Sequence, residues 1–304
     1  MSILVVGSIA LDTVETPFGQ VEEALGGAAV YFSYAASFFN RVRMVGVIGE
    51  DFPEEHIRLL EGRDIDLSGL ERGNGSTFRW AGRYDYDLNE AHTLDTQLNV
   101  FERFAPEIPE EFRDSDLVFL ANIQPDLQLK VAEQVGSPRV IACDTMNFWI
   151  EGAYDALRET LKKVDILVVN DAETRELARE PSLVRAARKI LGWGPETLVV
   201  KRGEYGVLMF NRHSVFSAPA YPLEDVFDPT GAGDSFAGGF MGFLSTQEEI
   251  NESAIRQAIV FGSTLASFNV EDFSLNRMKN LSMDEILERY AEFKQLSHFE
   301  EIET

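Results

Sequence analysis

The feature that most constrains this fold is an alternation of short apolar runs with helix-length stretches. Most of the runs are rich in β-branched residues and lack the polar alternation of a half-exposed strand. They are SILVVGSIAL, RVRMVGVIG, SDLVFLANI, RVIACD, DILVVN and TLVVKRG. The stretches between them are AAVYFSYAASFFN, EEHIRLLEGR, PDLQLKVAEQV, YDALRETLKKV and SLVRAARKILGW. This order predicts an α/β protein whose mostly parallel central sheet is covered by helices on both faces.

One segment departs from this pattern because its residues alternate strictly. One face of TFRWAGRYDY would carry Phe78, Trp80, Gly82, Tyr84 and Tyr86. Such alternation is typical of a strand in a small antiparallel sheet with one exposed face. Together with TVETPFGQV it predicts a lid, formed by segments at about 13–24 and 75–101 of a single domain spanning 1–304. The aromatic face would cover a ligand or a partner subunit, or it would pack on the main domain.

The composition limits the partners that the protein can have. The chain has 304 residues, 45% of them hydrophobic, which suits one large domain, and its net charge of −24 repels nucleic acid and anionic lipid. The start, MSILVVGSIALD, lacks the basic region of a signal peptide, and a single cysteine, Cys143, excludes an internal disulfide. We therefore expect a cytoplasmic protein with no nucleic-acid or membrane partner. An anionic substrate would need a local positive field.

The stretch FDPTGAGDSFAGGF, residues 227–240, supplies such a field. The residue before Pro229 avoids helical geometry, so the chain enters this stretch extended. Gly231, Ala232 and Gly233 then permit a tight turn, and a helix of small and apolar residues follows from Asp234. The N–H groups at the start of a helix point outward and carry the positive end of its dipole. The turn is therefore predicted to bind an anion.

Asp234 is unusual because a carboxylate beside an anion site repels a resting phosphate. It fits the site as a general base that takes a proton from a hydroxyl attacking phosphorus. The alternative is that Asp234 only caps the helix. Other phosphate or nucleophile patterns fail: there is no G-x-x-x-x-G-K-[ST] and no G-x-G-x-x-G, and G-x-S-x-G fails at Ala237.

The segment DPTGAGD resembles the second signature, D-[ST]-x-G-A-G-D, of the ribokinase or PfkB family of ATP-dependent carbohydrate and nucleoside kinases. It departs from that signature only at Pro229, and the resemblance runs from the first strand to the C-terminal helices. It implies a ribokinase-like three-layer α/β/α sandwich with a small β-sheet lid. It also implies that Asp234 is the catalytic base and that Gly231, Ala232 and Gly233 form the anion hole.

The resemblance extends to segments that would bind the phosphoryl acceptor. The run GSIALD resembles the family's opening strand, whose last acid, here Asp12, binds substrate hydroxyls. A strand-end turn would also explain an acid there. LGGAA resembles the glycine pair of the lid hinge, at Gly26 and Gly27, although Tyr31-Phe32-Ser33 follows where the family often has asparagine. DTMN resembles the D-x-N segment near the site, which implies a role for Asn147 toward phosphate or substrate.

Three further segments resemble the nucleotide and metal sites of the family. NDAE resembles N-x-x-E, which implies that Asn170 and Glu173 hold Mg²⁺ largely through water, and the same spacing is a helix capping box. KRGEYG resembles K-x-G-x-x-G beside the phosphates of ATP, at Lys201, Gly203 and Gly206, and a hairpin turn explains its glycines equally well. QAIVFGSTLASFNVED should line the adenine pocket, with Asn269 at its mouth. Asp228 would bind K⁺, although the loop NVED lacks the glycine of relatives that bind this ion.

The expected reaction is transfer of the γ-phosphoryl group of ATP to a primary hydroxyl of a small sugar or nucleoside, with Mg²⁺. The aromatic residues of the lid and Phe148-Trp149 slightly favour a nucleoside, because flat side chains stack on a nucleobase. The alternative is a non-catalytic ligand-binding member of the same fold, against which Asp234, the glycine turn and Glu173 argue. A homodimer formed through the lid is a further expectation.

Overall fold

The computed structural model describes residues 1–89 and 91–298. Within these residues the strands are β1 Ile3–Val6, β2 Ala10–Thr16, β3 Gly19–Gly26, β4 Val42–Ile48, β5 Ile65–Arg72, β6 Phe78–Tyr84, β7 Ala91–Gln97, β8 Leu117–Leu120, β9 Val140–Cys143, β10 Ile166–Asn170, β11 Thr197–Lys201, β12 Val207–Asn211 and β13 Val215–Ala218. The helices are α1 Ala28–Ala36, α2 Glu54–Glu61, α3 Pro125–Gln134, α4 Asn147–Gly152, α5 Tyr154–Thr160, α6 Asp171–Ala178, α7 Leu183–Leu191, α8 Ala232–Leu244, α9 Glu252–Asn269, α10 Asn276–Lys279 and α11 Met283–Leu296.

Nine of the strands form a central sheet in the order β13-β12-β11-β10-β9-β8-β1-β4-β5. The strands from β11 to β5 in this order pair in parallel, and β12 and β13 are antiparallel additions at one edge. Helices cover both faces, so the predicted three-layer α/β/α sandwich is confirmed.

The apolar runs form strands because they are buried on both faces of this sheet. In β1, Ile3 and Val5 belong to the core shared with α1, α8 and α9, whereas Leu4 and Val6 belong to the core shared with α3, α5, α6 and α7. All four side chains are fully buried. Complete burial of one such side chain contributes about 1.5–3 kcal/mol to the free energy that stabilises the fold.

Helix α8 packs between α1 and α9 and carries the glycine-rich turn at its N-terminus. The close packing on α1 depends on Gly238, because a Cβ at this position would overlap the carbonyl oxygen of Phe32. The capping box of α11, in which Ser282 and Glu285 bond each other's backbone N–H, fixes the start of the last helix.

A smaller sheet of four strands, in the order β3-β2-β6-β7, lies apart from the central one. We call it the small sheet. The predicted purely antiparallel pairing is wrong for β2 and β6, which pair in parallel, whereas β2–β3 and β6–β7 are antiparallel. The predicted aromatic face is interrupted as well, because β6 ends at Tyr84 and Tyr86 lies beyond it, 87% exposed.

Two expectations about the N-terminal region are corrected by the structure. SILVVGSIAL is not one strand, because β1 ends at Val6 in the central sheet and β2 starts at Ala10 in the small sheet. Gly7 allows the chain to change sheets, since a Cβ there would lie 2.7 Å from the Cβ of Ala121. TVETPFGQV is likewise not one strand but the turn of the β2–β3 hairpin, with Pro17 and Phe18 between the strands.

No helix in the described ranges 1–89 and 91–298 is both long enough and apolar enough to cross a membrane.

Candidate active site

The candidate site lies where neighbouring parallel strands of the central sheet end. Asp144 follows β9, Asn170 ends β10 and Lys201 ends β11. Asn170 and Lys201 are paired in the sheet register, so their backbones are adjacent. The carboxyl ends of parallel strands meet at one edge, which is where open α/β sheets bind ligands.

The glycine-rich turn forms the other wall of the site. Gly231 is the N-cap of α8 with φ 74°, a conformation that favours glycine, and a Cβ there would overlap the ring of Tyr31. The Ala232 N–H donates to the carbonyl of Pro229 at 3.1 Å. Among the residues that the structure describes, nothing accepts a hydrogen bond from the N–H groups of Gly231 and Gly233. These two amides are therefore free for an anion, whereas Ala232 already has a protein partner.

Lys201 brings a cation to this turn. A Cβ built on Gly233 would lie 2.6 Å from Nζ of Lys201, so the ammonium group sits against the start of α8. Its charge opposes the rise in pKa of the surrounding carboxyl groups Asp234, Asp144 and Glu173. Free amides and a nearby ammonium make a positive field inside a strongly acidic protein.

Asp234 lies in the first turn of α8, where it is half-buried. Burial raises the pKa of its carboxyl to about 6, and Lys201 opposes the shift. The N-cap of α8 is Gly231, which has no side chain, and the carboxyl of Asp234 accepts from its own backbone N–H in the first turn, so a helix-stabilising role for Asp234 is compatible with the geometry. A pKa near neutrality suits a group that accepts a proton during reaction.

Asp12 is a second buried acid that faces the site. It is 5% exposed in the middle of β2, and burial raises its pKa to about 7, with further contributions from Asp228 and Asp234. Any Cβ on Gly26 would overlap the Asp12 carboxylate. Gly27, with φ 95°, caps α1, and its N–H counteracts the rise in the Asp12 pKa. The predicted acceptor residues on β2 and at the hinge therefore lie together.

Asn170 and Glu173 form a complete capping box at the start of α6. Asn170 Oδ1 accepts from the Glu173 N–H at 2.7 Å, and Glu173 Oε2 accepts from the Asn170 N–H at 2.8 Å. The capping interpretation is confirmed. Burial also raises the pKa of Glu173, which Lys201 opposes. One oxygen of Glu173 remains outside the box, so the predicted metal role and the cap are compatible.

Asp144 was expected near the site only as part of the DTMN segment. In the structure it is a buried carboxyl group beside Asp234. The residue is 6% exposed, and its Oδ1 has no hydrogen-bond partner among the described residues. Burial and the neighbouring Asp234 raise its pKa well above the usual range. Asn147, the residue predicted from the same segment, is exposed at the start of α4.

Asp228 and Asn269 stabilise the glycine-rich turn through hydrogen bonds to the residues on either side of its glycines. Asp228 Oδ1 accepts the Thr230 N–H at 2.9 Å, and its Oδ2 accepts the Ser274 N–H at 3.3 Å. Asn269 Nδ2 donates to the carbonyl of Thr230 at 2.8 Å, and Asn269 Oδ1 accepts from the Ser235 hydroxyl at 3.0 Å. Both side chains are buried, so in this structure they support the turn. The predicted roles of Asp228 toward K⁺ and of Asn269 toward ATP stay predictions.

The other predicted nucleotide residues lie beside Lys201. Gly203 and Gly206 are in the turn between β11 and β12, where the Arg202 N–H donates to the Gly206 carbonyl at 2.8 Å. Both glycines have positive φ, 52° and 82°. The turn alone therefore accounts for them, and their role beside the phosphates stays a prediction.

Two tyrosines at the site were not predicted. Tyr31, on α1, is 2% exposed, and Tyr84, at the end of β6, is 9% exposed. Burial raises the pKa of both, and the carboxyl groups of Asp12, Asp228 and Asp234 add to the shift. Tyr31 stands in the segment where the family resemblance expected asparagine, which was a usable signal. Tyr84 was noticed only as part of an aromatic strand face.

These groups define a class of enzyme. Free amides and an ammonium group can stabilise the charge of a phosphoryl group, and a carboxyl with a pKa of about 6 stands beside them to accept a proton. On a three-layer α/β/α sandwich, this combination is that of a small-molecule kinase.

Comparison with known proteins identifies the family. Residues 2–280 match the pfkB family of carbohydrate kinases. The chain is also 31% identical to the cytidine kinase of Thermococcus kodakarensis, over 83% of this chain and 91% of that protein. The chain belongs to the pfkB family, and it is a phosphotransferase that acts on an alcohol group.

Two further relatives extend the comparison. The nucleoside kinase of Methanothermobacter thermautotrophicus is 26% identical over 89% of each chain. The crystal structure of the nucleoside kinase of Methanocaldococcus jannaschii, described as an archaeal member of the ribokinase family, superposes with a TM-score of 0.77 and 20% identity, covering 96% of this chain and 98% of that one. The second likeness confirms the ribokinase-like fold.

Proposed function

We propose that this protein transfers the γ-phosphoryl group of ATP to a primary hydroxyl of a small sugar or nucleoside, with a nucleoside as the favoured acceptor. The observation that carries this proposal is the arrangement at the glycine-rich turn. Asp234, with a pKa of about 6, lies next to the free amides of Gly231 and Gly233 and to the ammonium of Lys201. A non-catalytic ligand-binding protein has no need of this combination.

In the proposed step, the acceptor oxygen forms a bond to the γ-phosphorus while the bond from that phosphorus to the β-phosphate oxygen breaks. The proton of the acceptor hydroxyl passes to Asp234, and ADP leaves. Charge on the transferred group is stabilised by Lys201 and the amides of Gly231 and Gly233. Positioning and electrostatic stabilisation supply most of the rate enhancement in reactions of this kind.

Mg²⁺ fits beside this turn. In the described residues no three acids, histidines or cysteines come together as a metal cluster, but Mg²⁺ keeps several waters and needs few protein ligands. Asp144 Oδ1 is buried without a partner, and one oxygen of Glu173 lies outside the capping box. We assign Mg²⁺ to these two carboxylates, with Asn170 orienting Glu173. When bound, the ion neutralises charge on the phosphates.

The metal assignment is tested by Mn²⁺ binding, followed by electron paramagnetic resonance with a non-hydrolysable ATP analogue. Asp144→Asn should weaken Mn²⁺ binding at least about tenfold, since altered metal-site residues commonly cost 10- to 100-fold in affinity. The exposed residue Asp155, in the first turn of α5, supplies the control, because Asp155→Asn makes the same substitution at a residue not assigned to the metal. Equal affinity in the two variants would contradict the assignment.

The acceptor would be held by Asp12 and by the backbone at Gly26 and Gly27. A carboxylate binds vicinal hydroxyls of either a ribose ring or a free sugar, so this contact does not discriminate between them. The nucleoside preference is supported by the 31% identity to a cytidine kinase and by the exposed ring of Phe148, beside Trp149 and Asn147. A nucleobase can stack on such a surface.

The acceptor is tested by a coupled ADP-release assay with MgATP against a panel of nucleosides and free sugars. The proposal predicts acceptor-dependent ADP release, with cytidine and other nucleosides ahead of ribose and fructose. Product mass should increase by one phosphoryl group. A response to sugars alone would overturn the nucleoside preference, and no response to any acceptor, from folded protein, would overturn the kinase proposal.

Four further proposals concern conditions and assembly. The segments at about 13–24 and 75–101 act as a lid on a single domain of residues 1–304, and the protein works in the cytoplasm. It forms a homodimer through the exposed face of the small sheet. The test is the molar mass from light scattering, which should fall from dimer to monomer in Leu94→Asp.

K⁺ binds at Asp228, whose carboxylate retains lone pairs beyond its two backbone bonds. Replacing K⁺ by a large organic cation should then lower turnover.

A further inference from the structure

Tyr84 brings a phenol from the small sheet to the glycine-rich turn. It is the last residue of β6 and is 9% exposed, although Ala91, its partner in β7, is exposed. The hydroxyl of Thr230 donates to the phenol oxygen of Tyr84 at 3.3 Å. The two residues are 146 positions apart in the sequence. This bond therefore joins the small sheet directly to the turn that precedes α8.

Thr230 is well placed to transmit this contact. Its N–H donates to Asp228 at 2.9 Å, and its carbonyl accepts from Asn269 at 2.8 Å. Its hydroxyl is the remaining polar group, and it bonds both the Tyr84 phenol and the Asp228 carboxylate. Gly231 follows immediately, with a free N–H. The orientation of Thr230 therefore sets the direction of the first amide that would meet a transferred phosphoryl group.

The surroundings of the phenol suit a neutral hydrogen-bonding group. Burial raises the pKa of Tyr84 to about 12, and Asp228, Asp12 and Asp234 add to the shift, so the phenol keeps its proton at neutral pH. The Thr230 hydroxyl also bonds the Asp228 carboxylate, so the phenol of Tyr84 is one of two partners of this hydroxyl.

We propose that Tyr84 is a positioning residue for phosphoryl transfer. When the small sheet lies over the site, its phenol fixes Thr230 and with it the free amides of the glycine-rich turn. This inference rests on the proposed kinase function. The amides serve the transferring group more than resting ATP, so loss of the Tyr84–Thr230 bond should lower kcat and leave the Kd of MgATP near that of the wild type.

The kinetic test compares Tyr84→Phe with Tyr86→Phe. Tyr86 is a matched control because it lies two residues further on and is 87% exposed. Tyr84→Phe should lower kcat about three- to tenfold, the usual worth of one hydrogen bond, while Tyr86→Phe should not change it. Thr230→Val should cause a similar loss, Thr230→Ser should retain activity, and the double variant Tyr84→Phe/Thr230→Val should lose no more than the greater single loss.

A second measurement does not depend on catalysis. Amide hydrogen exchange of the ligand-free protein should show faster exchange at 230–235 in Tyr84→Phe than in the wild type or in Tyr86→Phe, because the turn has lost a tether. Failure of the wild type to phosphorylate any acceptor would overturn the proposed function. The exchange rates at 230–235 in Tyr84→Phe and the wild type would still show whether Tyr84 holds the turn in place. Wild-type kcat and exchange in a folded Tyr84→Phe protein would overturn the inference.

Discussion

The central sheet and the small sheet differ in how deeply their strands are buried. In the central sheet, β1, β8 and most of β10 and β11 are buried on both faces. In the small sheet, every residue of β7 is exposed. Strands buried on both sides cannot shift without opening a core, whereas an exposed strand is held mainly by its neighbour. The rigid sheet therefore suits the placement of reacting groups, and the small sheet suits movement over the site.

The two regions also differ in their charged groups. The edge of the central sheet and the start of α8 gather carboxyl groups whose pKa values are raised by burial, with Lys201 as the cation between them. In the small sheet, the contact between His92 of β7 and Asp85 lies at the surface, with side chains 49% and 64% exposed. Replacement of a titratable side chain should therefore have a large effect in the first region and a small one at His92.

The largest expected effect comes from Asp234→Asn. Loss of the proposed base should lower kcat by about 10²–10⁴, the range for general-base assistance. The ADP-release assay measures this loss. Asp225→Asn is the matched control, since Asp225 is exposed a few residues upstream and loses the same charge. Comparable turnover in the two variants would contradict the large effect expected for a carboxyl group at the edge of the central sheet.

Lys201→Met should have the next largest effect. It removes the ammonium that lies against Gly233 and that opposes the raised pKa values of Asp234, Asp144 and Glu173. We expect kcat to fall by about 10²–10³, comparable to the loss of a preorganised donor at a developing charge. Lys162→Met, at an exposed pair with Glu159, should leave kcat unchanged. If Lys201→Met were as active as Lys162→Met, the positive field at the turn would have another source.

A smaller effect concerns stability and pH. Folding raises the pKa of Asp234 from 3.8 to about 6, so its contribution to stability is present below about pH 4 and is lost as pH rises through about 6. Asn does not titrate. The gain in unfolding free energy of Asp234→Asn over the wild type should therefore be roughly 1–2 kcal/mol larger at pH 8 than at pH 5, at 1.36 kcal/mol per pKa unit. Denaturant unfolding at both pH values measures it, and a gain that is the same at both would contradict the raised pKa.

The smallest effect should come from the small sheet. His92→Gln removes an exposed pair with Asp85 at 3.0 Å. Exposed pairs contribute about 0–1 kcal/mol, so the melting temperature should change little and kcat should stay at the wild-type value. Thermal unfolding followed by circular dichroism, with the ADP-release assay, measures both. A large loss of turnover would show that β7 contributes to catalysis although all its residues are exposed.

The central sheet was predictable because each strand carries its own signal. DILVVN and TLVVKRG are apolar throughout, and both form buried parallel strands. β7, with the sequence AHTLDTQ, was not predicted, because it is exposed and has no apolar periodicity. The change of sheet at Gly7 was also missed, since an uninterrupted apolar run gives no sign of where the chain turns.

The site was predictable only where its chemistry is local. DPTGAGD and NDAE carry their geometry within a few residues, and both the turn and the capping box lie where the sequence placed them. The approach of Lys201 to Gly233 and the bond between Tyr84 and Thr230 join distant segments. The orphaned oxygen of Asp144 depends on burial by several elements. Such contacts have no signature in a single sequence.

The central claim is that Asp234 acts on the acceptor proton and not on nucleotide binding. The most direct test measures MgATP affinity by calorimetry and single-turnover phosphoryl transfer on one preparation of Asp234→Asn. We predict affinity equal to that of the wild type or tighter, because a carboxylate that repels phosphate is gone, with transfer slowed by about 10²–10⁴. Transfer close to the wild-type rate, or loss of ATP binding in a folded protein, would contradict the account.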